Sequence, residues 1–331
     1  MAWAGALALV VMAGGVARAQ EAVNSETAIE DAANAIKQSP YKAAFEKAHK
    51  AVPQPDGVEL TPEEMDHVAM VVLGNTANTV FHEMGHALVS ELQFNVLGKE
   101  EDAVDAFANL IMVARQNDPA LDEMIVSVAD AYFKAGVFED EANDPSFAWD
   151  EHSLNAQRAF AVICILVGAE PQKFAKAADN AGMPPERQES CQGEWQSASL
   201  AWDNLLAPWS IAKGSAPAQS HFKVTYEKPG SGQEKIAAFV KSSGIVEGVL
   251  SQMDYLVAWP GDPIAVSVSS CGESNAYWSP DERTLTLCYE IVQDYVDSGI
   301  SDYYESEDDG SGDAAGGEEP EADPADPATP Q

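Results

Sequence analysis

Positive charge is what this chain has least of. Its 331 residues include 18 lysines and arginines against 54 aspartates and glutamates, a formal net charge of -36. So acidic a surface repels nucleic-acid phosphates and anionic lipid headgroups, and neither is expected as a partner. Cysteine is scarce too: Cys164, Cys191, Cys271 and Cys288, with no CxxC pair, which argues against a four-cysteine zinc site. Long apolar runs are missing after the first twenty residues, so no stable membrane insertion is expected once that segment is removed. There is no internal repeat.

The first segment reads as an export signal. Trp3 to Val16 is almost wholly apolar and Ala17-Arg18-Ala19 gives a small-x-small cleavage pattern, so residues 1–19 are expected to be removed and the rest to be periplasmic or secreted. An oxidising compartment suits disulfides. Of the three possible pairings the two local ones are favoured, Cys164–Cys191 and Cys271–Cys288.

Patterning divides the remainder into an N-terminal helical segment and linker (20–57), a helical core (58–215), a strand and helix region (219–300) and an acidic tail (301–331). Asp302 to Gln331 holds eleven acids and no Lys or Arg, too little apolar surface for ordered structure. Thr61-Pro62-Glu63-Glu64 is a helix start with a capping box. Beyond the Ser210 to Ser220 break, Phe222–Tyr226, Ile264–Val268, Asn275–Trp278 and Thr284–Cys288 read as short strands. Ala237–Met253 and Glu290–Val296 read as helices, and Ser279-Pro280-Asp281-Glu282 as a hairpin turn. The expected class is α+β, mostly α, with a helical metal-binding half and a small antiparallel sheet or hairpin half placed C-terminally.

Chemistry concentrates in His82-Glu83-Met84-Gly85-His86. Helical residues four apart lie about 40° apart around the axis and one turn along it, so His82 and His86 present two imidazoles to one point. Glu83 on the neighbouring flank can take a proton from a metal-bound water. An ordinary amphipathic helix could carry two histidines, but Val80, Phe81, Met84, Ala87 and Leu88 surround these with apolar residues, and buried imidazoles need partners. One Zn2+ is the expected cofactor.

The third ligand should come from the next helix. Glu100 and Glu101 flank its apolar face, and periodicity does not choose between them. Asp105, one turn beyond Glu101 on the same side and placed to orient His82 or His86, favours Glu101. Asp102 points away from the face. His152 is either a donor to a developing oxyanion or a structural histidine tied to Asp150 or Gln157. Tyr277 and Tyr289 are weaker donor candidates. His49, His67 and His221 show no partner pattern, and Trp195, Trp202 and Trp209, seven apart, suggest a helix-packing face.

His82-Glu83-Met84-Gly85-His86 followed by Glu101 and Asp105 resembles the gluzincin plan of thermolysin-like peptidases. More closely, the chain resembles a bacterial family of exported metallopeptidase-like proteins, a domain of unknown function with no settled substrate. That likeness rests on the HExxH block through Val89 and on Leu97-Gly98-Lys99-Glu100-Glu101-Asp102-Ala103-Val104-Asp105. It extends to Trp149 through Arg158, to Cys164 and Cys191, to Cys271 through Trp278, and to Leu287-Cys288-Tyr289-Glu290. The resemblance implies zinc-dependent hydrolysis of peptides or unfolded proteins. Asn275-Ala276-Tyr277 resembles the edge strand on which some zinc peptidases lay their substrate. In the family pattern that hairpin precedes the HExxH helix, whereas here it follows. A permuted order is therefore expected, with the hairpin returning to pack beside the His82 helix. The competing reading is a catalytically inactive, metal-stabilised binding or scaffold protein of the cell envelope.

Overall fold

The computed structural model describes residues 28–304 apart from 37–38, 56, 115–118, 138–144, 213–214, 216 and 218. The expected signal and nearly all of the acidic tail lie outside the described residues. Two short helices, α1 (Ala28–Ala35) and α2 (Pro40–Ala48), lead into α3 (Pro62–Glu91), the axis of the molecule. There follow α4 (Glu100–Val113), α5 (Pro119–Gly136), α6 (Asn155–Ala169), α7 (Pro171–Asn180) and α8 (Pro185–Leu206). The C-terminal part runs β1 (Phe222–Tyr226), α9 (Glu234–Ser243), α10 (Ile245–Leu256), β2 (Ile264–Ser269), β3 (Ala276–Ser279), β4 (Thr284–Cys288) and α11 (Tyr289–Tyr304). No helix among the described residues is long and apolar enough to cross a membrane.

The capping box at the start of α3 forms as its sequence demands. The Thr61 N–H donates to Glu64 Oε2 at 2.6 Å and the Glu64 N–H to Thr61 Oγ1 at 3.3 Å, satisfying two of the otherwise orphaned groups at the helix N-terminus. The thirty residues of α3 extend about 45 Å at 1.5 Å per residue. From Val68 to Val89 α3 is almost entirely buried, packed by α4, α5, α10 and α11. One continuous apolar core runs from α1 through the helices into the sheet.

The sheet has the order β1-β2-β4-β3. Its antiparallel character is confined to the β3–β4 hairpin; β1 pairs parallel with β2, and β2 with β4. The β1–β2 pair is parallel because the helical connection through α9 and α10 returns the chain in the same direction, and the β2–β4 pair because β3 runs back at the sheet edge outside β4. The helix expected over Ala237–Met253 is two helices. Gly244, at φ +68, ends α9 and begins α10 in a left-handed conformation that suits glycine. The last helix also runs longer than its apolar pattern, to Tyr304, past the point where the tail was expected to begin. Both local disulfides are present, Cys164–Cys191 joining α6 to α8 and Cys271–Cys288 anchoring the loop before β3 to the end of β4.

The histidines expected to lack partners have them. His49 pairs with Asp66 at 2.6 Å and His67 with Asp302 at 2.9 Å, while His221 stacks on Trp259. These partners come from other elements, which local sequence does not reveal.

Close approach of α3 and α4 is set at Gly85. A Cβ there would lie 2.7 Å from Val104 Cβ and 2.9 Å from its Cγ1, nearer than side-chain atoms pack. Gly85→Ala is expected to cost about 1–3 kcal/mol by overpacking, read as a lower midpoint in urea unfolding. Adding Val104→Ala should recover part of the loss, and an unchanged midpoint in the single variant would refute the close approach.

Candidate metal centre

The α3–α4 contact brings His82, His86 and Glu101 together, their ligand atoms all within 4.8 Å of one another. Glu101 Oε2 lies 3.1 Å from His82 Nε2 and 3.3 Å from His86 Nε2. The other nitrogen of each ring is already engaged. His82 Nδ1 donates to Asp105 Oδ1 at 2.7 Å, and His86 Nδ1 donates to Glu100 Oε1 at 2.7 Å. With the proton fixed on Nδ1, each neutral ring turns an Nε2 lone pair toward the carboxylate oxygen. Lone pairs at that separation repel unless a cation or a proton lies between them. Glu101 Oε2 is buried and, despite three imidazole nitrogens at hydrogen-bonding distance, makes no hydrogen bond of acceptable geometry among the described residues. An orphaned oxygen facing two pre-oriented imidazoles is a donor set that fits one divalent ion, and zinc suits N and O ligands of this kind.

With no cation between the rings and the carboxylate, the same contacts draw a proton there instead. Burial works against charge on His82, yet the contacts to Asp105 and Glu101 outweigh it and lift its pKa to about 9. Burial also opposes charge on Glu101, but His152, His82 and His86 hold it well below the usual carboxylate range. Glu83 moves the other way: burial raises it, with His82 and His86 offsetting only part of the effect. The nearby Trp278 backbone N–H also favours its charged form, to a smaller extent.

Asp105 is itself braced from behind. Arg158 Nε donates to its Oδ2 at 2.7 Å and Nη2 to its Oδ1 at 2.8 Å, and the guanidinium lies 4.3 Å from the centre of the Tyr132 ring. Together with His82 these contacts keep Asp105 ionised, overriding the cost of burial. His152 reaches the centre from the segment before α6. Its Nε2 is 3.1 Å from Glu101 Oε2, and its backbone N–H donates to Asp150 Oδ1 at 2.8 Å. That segment is clipped to the start of α4. Lys99 Nζ donates to the carbonyls of Asp150 and His152, and Ser153 Oγ donates to Asp102 Oδ1.

The hairpin closes the opposite side. Trp278 Nε1 donates to Ser90 Oγ at 2.8 Å, and Arg283 forms a fork on Glu91 with contacts of 2.8 and 2.7 Å. Both acceptors sit on the last turns of α3, so the hairpin lies against the metal helix as the permuted order requires. Between the walls is a cleft of ≈ 700 Å³ whose lining includes His82, Glu83, His86, Glu101, His152, Asn275, Ala276 and Tyr277. Tyr289 does not line it; it is buried and donates to the Glu227 carbonyl.

Sequence reasoning missed two functional contacts. Glu100, the rival for third ligand, orients His86 instead, and Arg158 secures Asp105. The signal for Glu100 was its place one residue before Glu101. Nothing local pointed Arg158 at Asp105, because the two are 53 residues apart. Asp105→Ala would leave the buried guanidinium and the His82 Nδ1–H without an acceptor. It is expected to lower stability by about 3–5 kcal/mol, measured by denaturant unfolding with metal removed, and a loss below about 1 kcal/mol would contradict the bracing role.

No curated protein and no solved structure matches the chain. One family model does, over residues 35–206 and 226–318, so that it takes in both the His82 helix and the returning hairpin. On that coverage, most of its length, the chain belongs to the family whose description reads "Putative metallopeptidase".

Proposed function

We propose that the chain is a zinc-dependent peptidase in which His82, His86 and Glu101 hold one zinc ion and Glu83 is the general base. The observation that carries this is the convergence of three oriented ligand atoms beside a buried carboxylate on the floor of an open cleft. Zinc bound there supplies Lewis acidity and lowers the pKa of its water towards 7. Glu83 Oε accepts the proton of the attacking water and passes it to the leaving amine nitrogen. Burial raises its pKa, the direction that favours holding the proton for return to the leaving group. His152, held by Asp150, donates to the oxyanion of the tetrahedral intermediate. Asp105 and Glu100 hold the ring planes of His82 and His86.

Substrate lies along β3. The Cys288 N–H donates to the Asn275 carbonyl, so in this antiparallel pair Asn275, Tyr277 and Ser279 bond to β4 while Ala276 and Trp278 turn their backbone groups outward. The Ala276 N–H donates to the Asn275 side chain, and the Trp278 N–H acts on Glu83. Their carbonyl oxygens are left to accept N–H groups of an extended peptide, a pairing that gives affinity with little sequence preference. Two disulfides point to an oxidising compartment, which supports action outside the cytoplasm.

Glu83→Gln should lower kcat by about 10²–10⁴-fold while the purified protein keeps one equivalent of zinc and an unchanged circular dichroism spectrum. Chelation should abolish wild-type activity and one equivalent of zinc restore it. A wild type that holds zinc yet cleaves no peptide would favour the scaffold reading instead.

A further inference from the structure

Five large apolar side chains stand exposed among the described residues: Leu97, Val137, Trp149, Leu200 and Tyr277. One of them lines the cleft beside the histidines, and two more lie close in sequence to residues that do. Tyr277 lines it, Trp149 stands two residues before the lining residue Glu151, and Leu97 two before the lining residue Lys99. The same rim is acidic. Glu151 forms part of one wall, while Glu273 precedes and Asp281 and Glu282 follow the strand that forms the other. All four are exposed, and none has a side-chain hydrogen bond or ion pair among the described residues. The nearby cations are spent: Lys99 on the carbonyls of Asp150 and His152, Arg283 on Glu91. A groove lined by one sign of charge focuses its field on what enters.

We infer that the cleft selects extended peptide segments combining positive charge with large apolar side chains. This rests on the peptidase reading and gives it a substrate class. Trp149, Tyr277 and Leu97 supply apolar contact, with the aromatic pair as the stronger anchors. Glu151, Glu273, Asp281 and Glu282 pair with lysine or arginine on the bound segment. Each exposed pair changes affinity by a factor of about 1.5 to 5, so two or three together give a preference of roughly tenfold. Because the chain is acidic throughout, the selectivity must be traced to rim residues and separated from the net charge.

The test uses three peptides with one apolar pattern and lysine, serine or glutamate at the polar positions. Binding is read by fluorescence anisotropy on zinc-loaded Glu83→Gln protein and on chelator-stripped wild type, and hydrolysis is read on zinc-loaded wild type. The lysine peptide should bind at least about tenfold tighter than the glutamate peptide at low salt, with the gap closing as salt rises. Glu151→Lys and Glu282→Lys should each narrow the gap, whereas Glu186→Lys, on α8, should leave it. Trp149→Ser should weaken the lysine peptide. Equal binding of the three peptides, or an equal effect of Glu186→Lys, overturns the inference. Hydrolysis of all three at the same rate with no difference in binding overturns it while leaving the peptidase reading intact. Ordered binding without any hydrolysis removes the peptidase reading and supports the selectivity of the cleft.

Discussion

Glu101 Oε2 can sit among imidazole nitrogens only because α3 and α4 touch where Gly85 offers no side chain to Val104. Everything at the centre inherits that contact. With the helix pair fixed, four consecutive residues at the start of α4 each take a separate partner. Lys99 holds the His152 segment, Glu100 orients His86, Glu101 faces the imidazoles and Asp102 accepts from Ser153. Successive positions on a helix fan out by about 100°, so one turn reaches both α3 and the His152 segment at once. Carboxylates are also favoured there, because the first turn of a helix carries partial positive charge.

The order of the chain matters less than where it returns. The hairpin is separated from the His82 helix by nearly two hundred residues, yet Trp278 and Arg283 bind Ser90 and Glu91 on its last turns. The Cys271–Cys288 bridge ties the loop leading into β3 to the strand beside it. A strand at the edge of a sheet has backbone groups to spare, and here most of the spare donors are already taken while the carbonyls are open.

Much of this is written locally. The Thr61 capping box and the i,i+4 histidines are short-range patterns with direct physical causes, and the structure realises both. Asp105 was legible because it lies one helical turn from Glu101. What local reading lacks is anything that depends on a distant partner. Periodicity placed Glu100 and Glu101 symmetrically about the apolar face, and only the position of the His86 ring separates their roles. Arg158 meets Asp105 across 53 residues. The parallel pairing of β1, β2 and β4 is likewise set by the connections rather than by the strands, and the break at Gly244 hides inside an unbroken apolar pattern.

The Trp278 backbone amide favours the charged form of the buried Glu83 carboxylate, so two walls of the cleft meet electrostatically. The Glu83 carboxylate belongs to a buried helix and Trp278 to a strand at the sheet edge, yet both line the same cleft. Moving that strand outward would take the Trp278 amide away from Glu83 and leave the burial of its charge less compensated. The place of the edge strand and the charge on the buried carboxylate are thereby tied, so that whatever shifts the one is felt by the other.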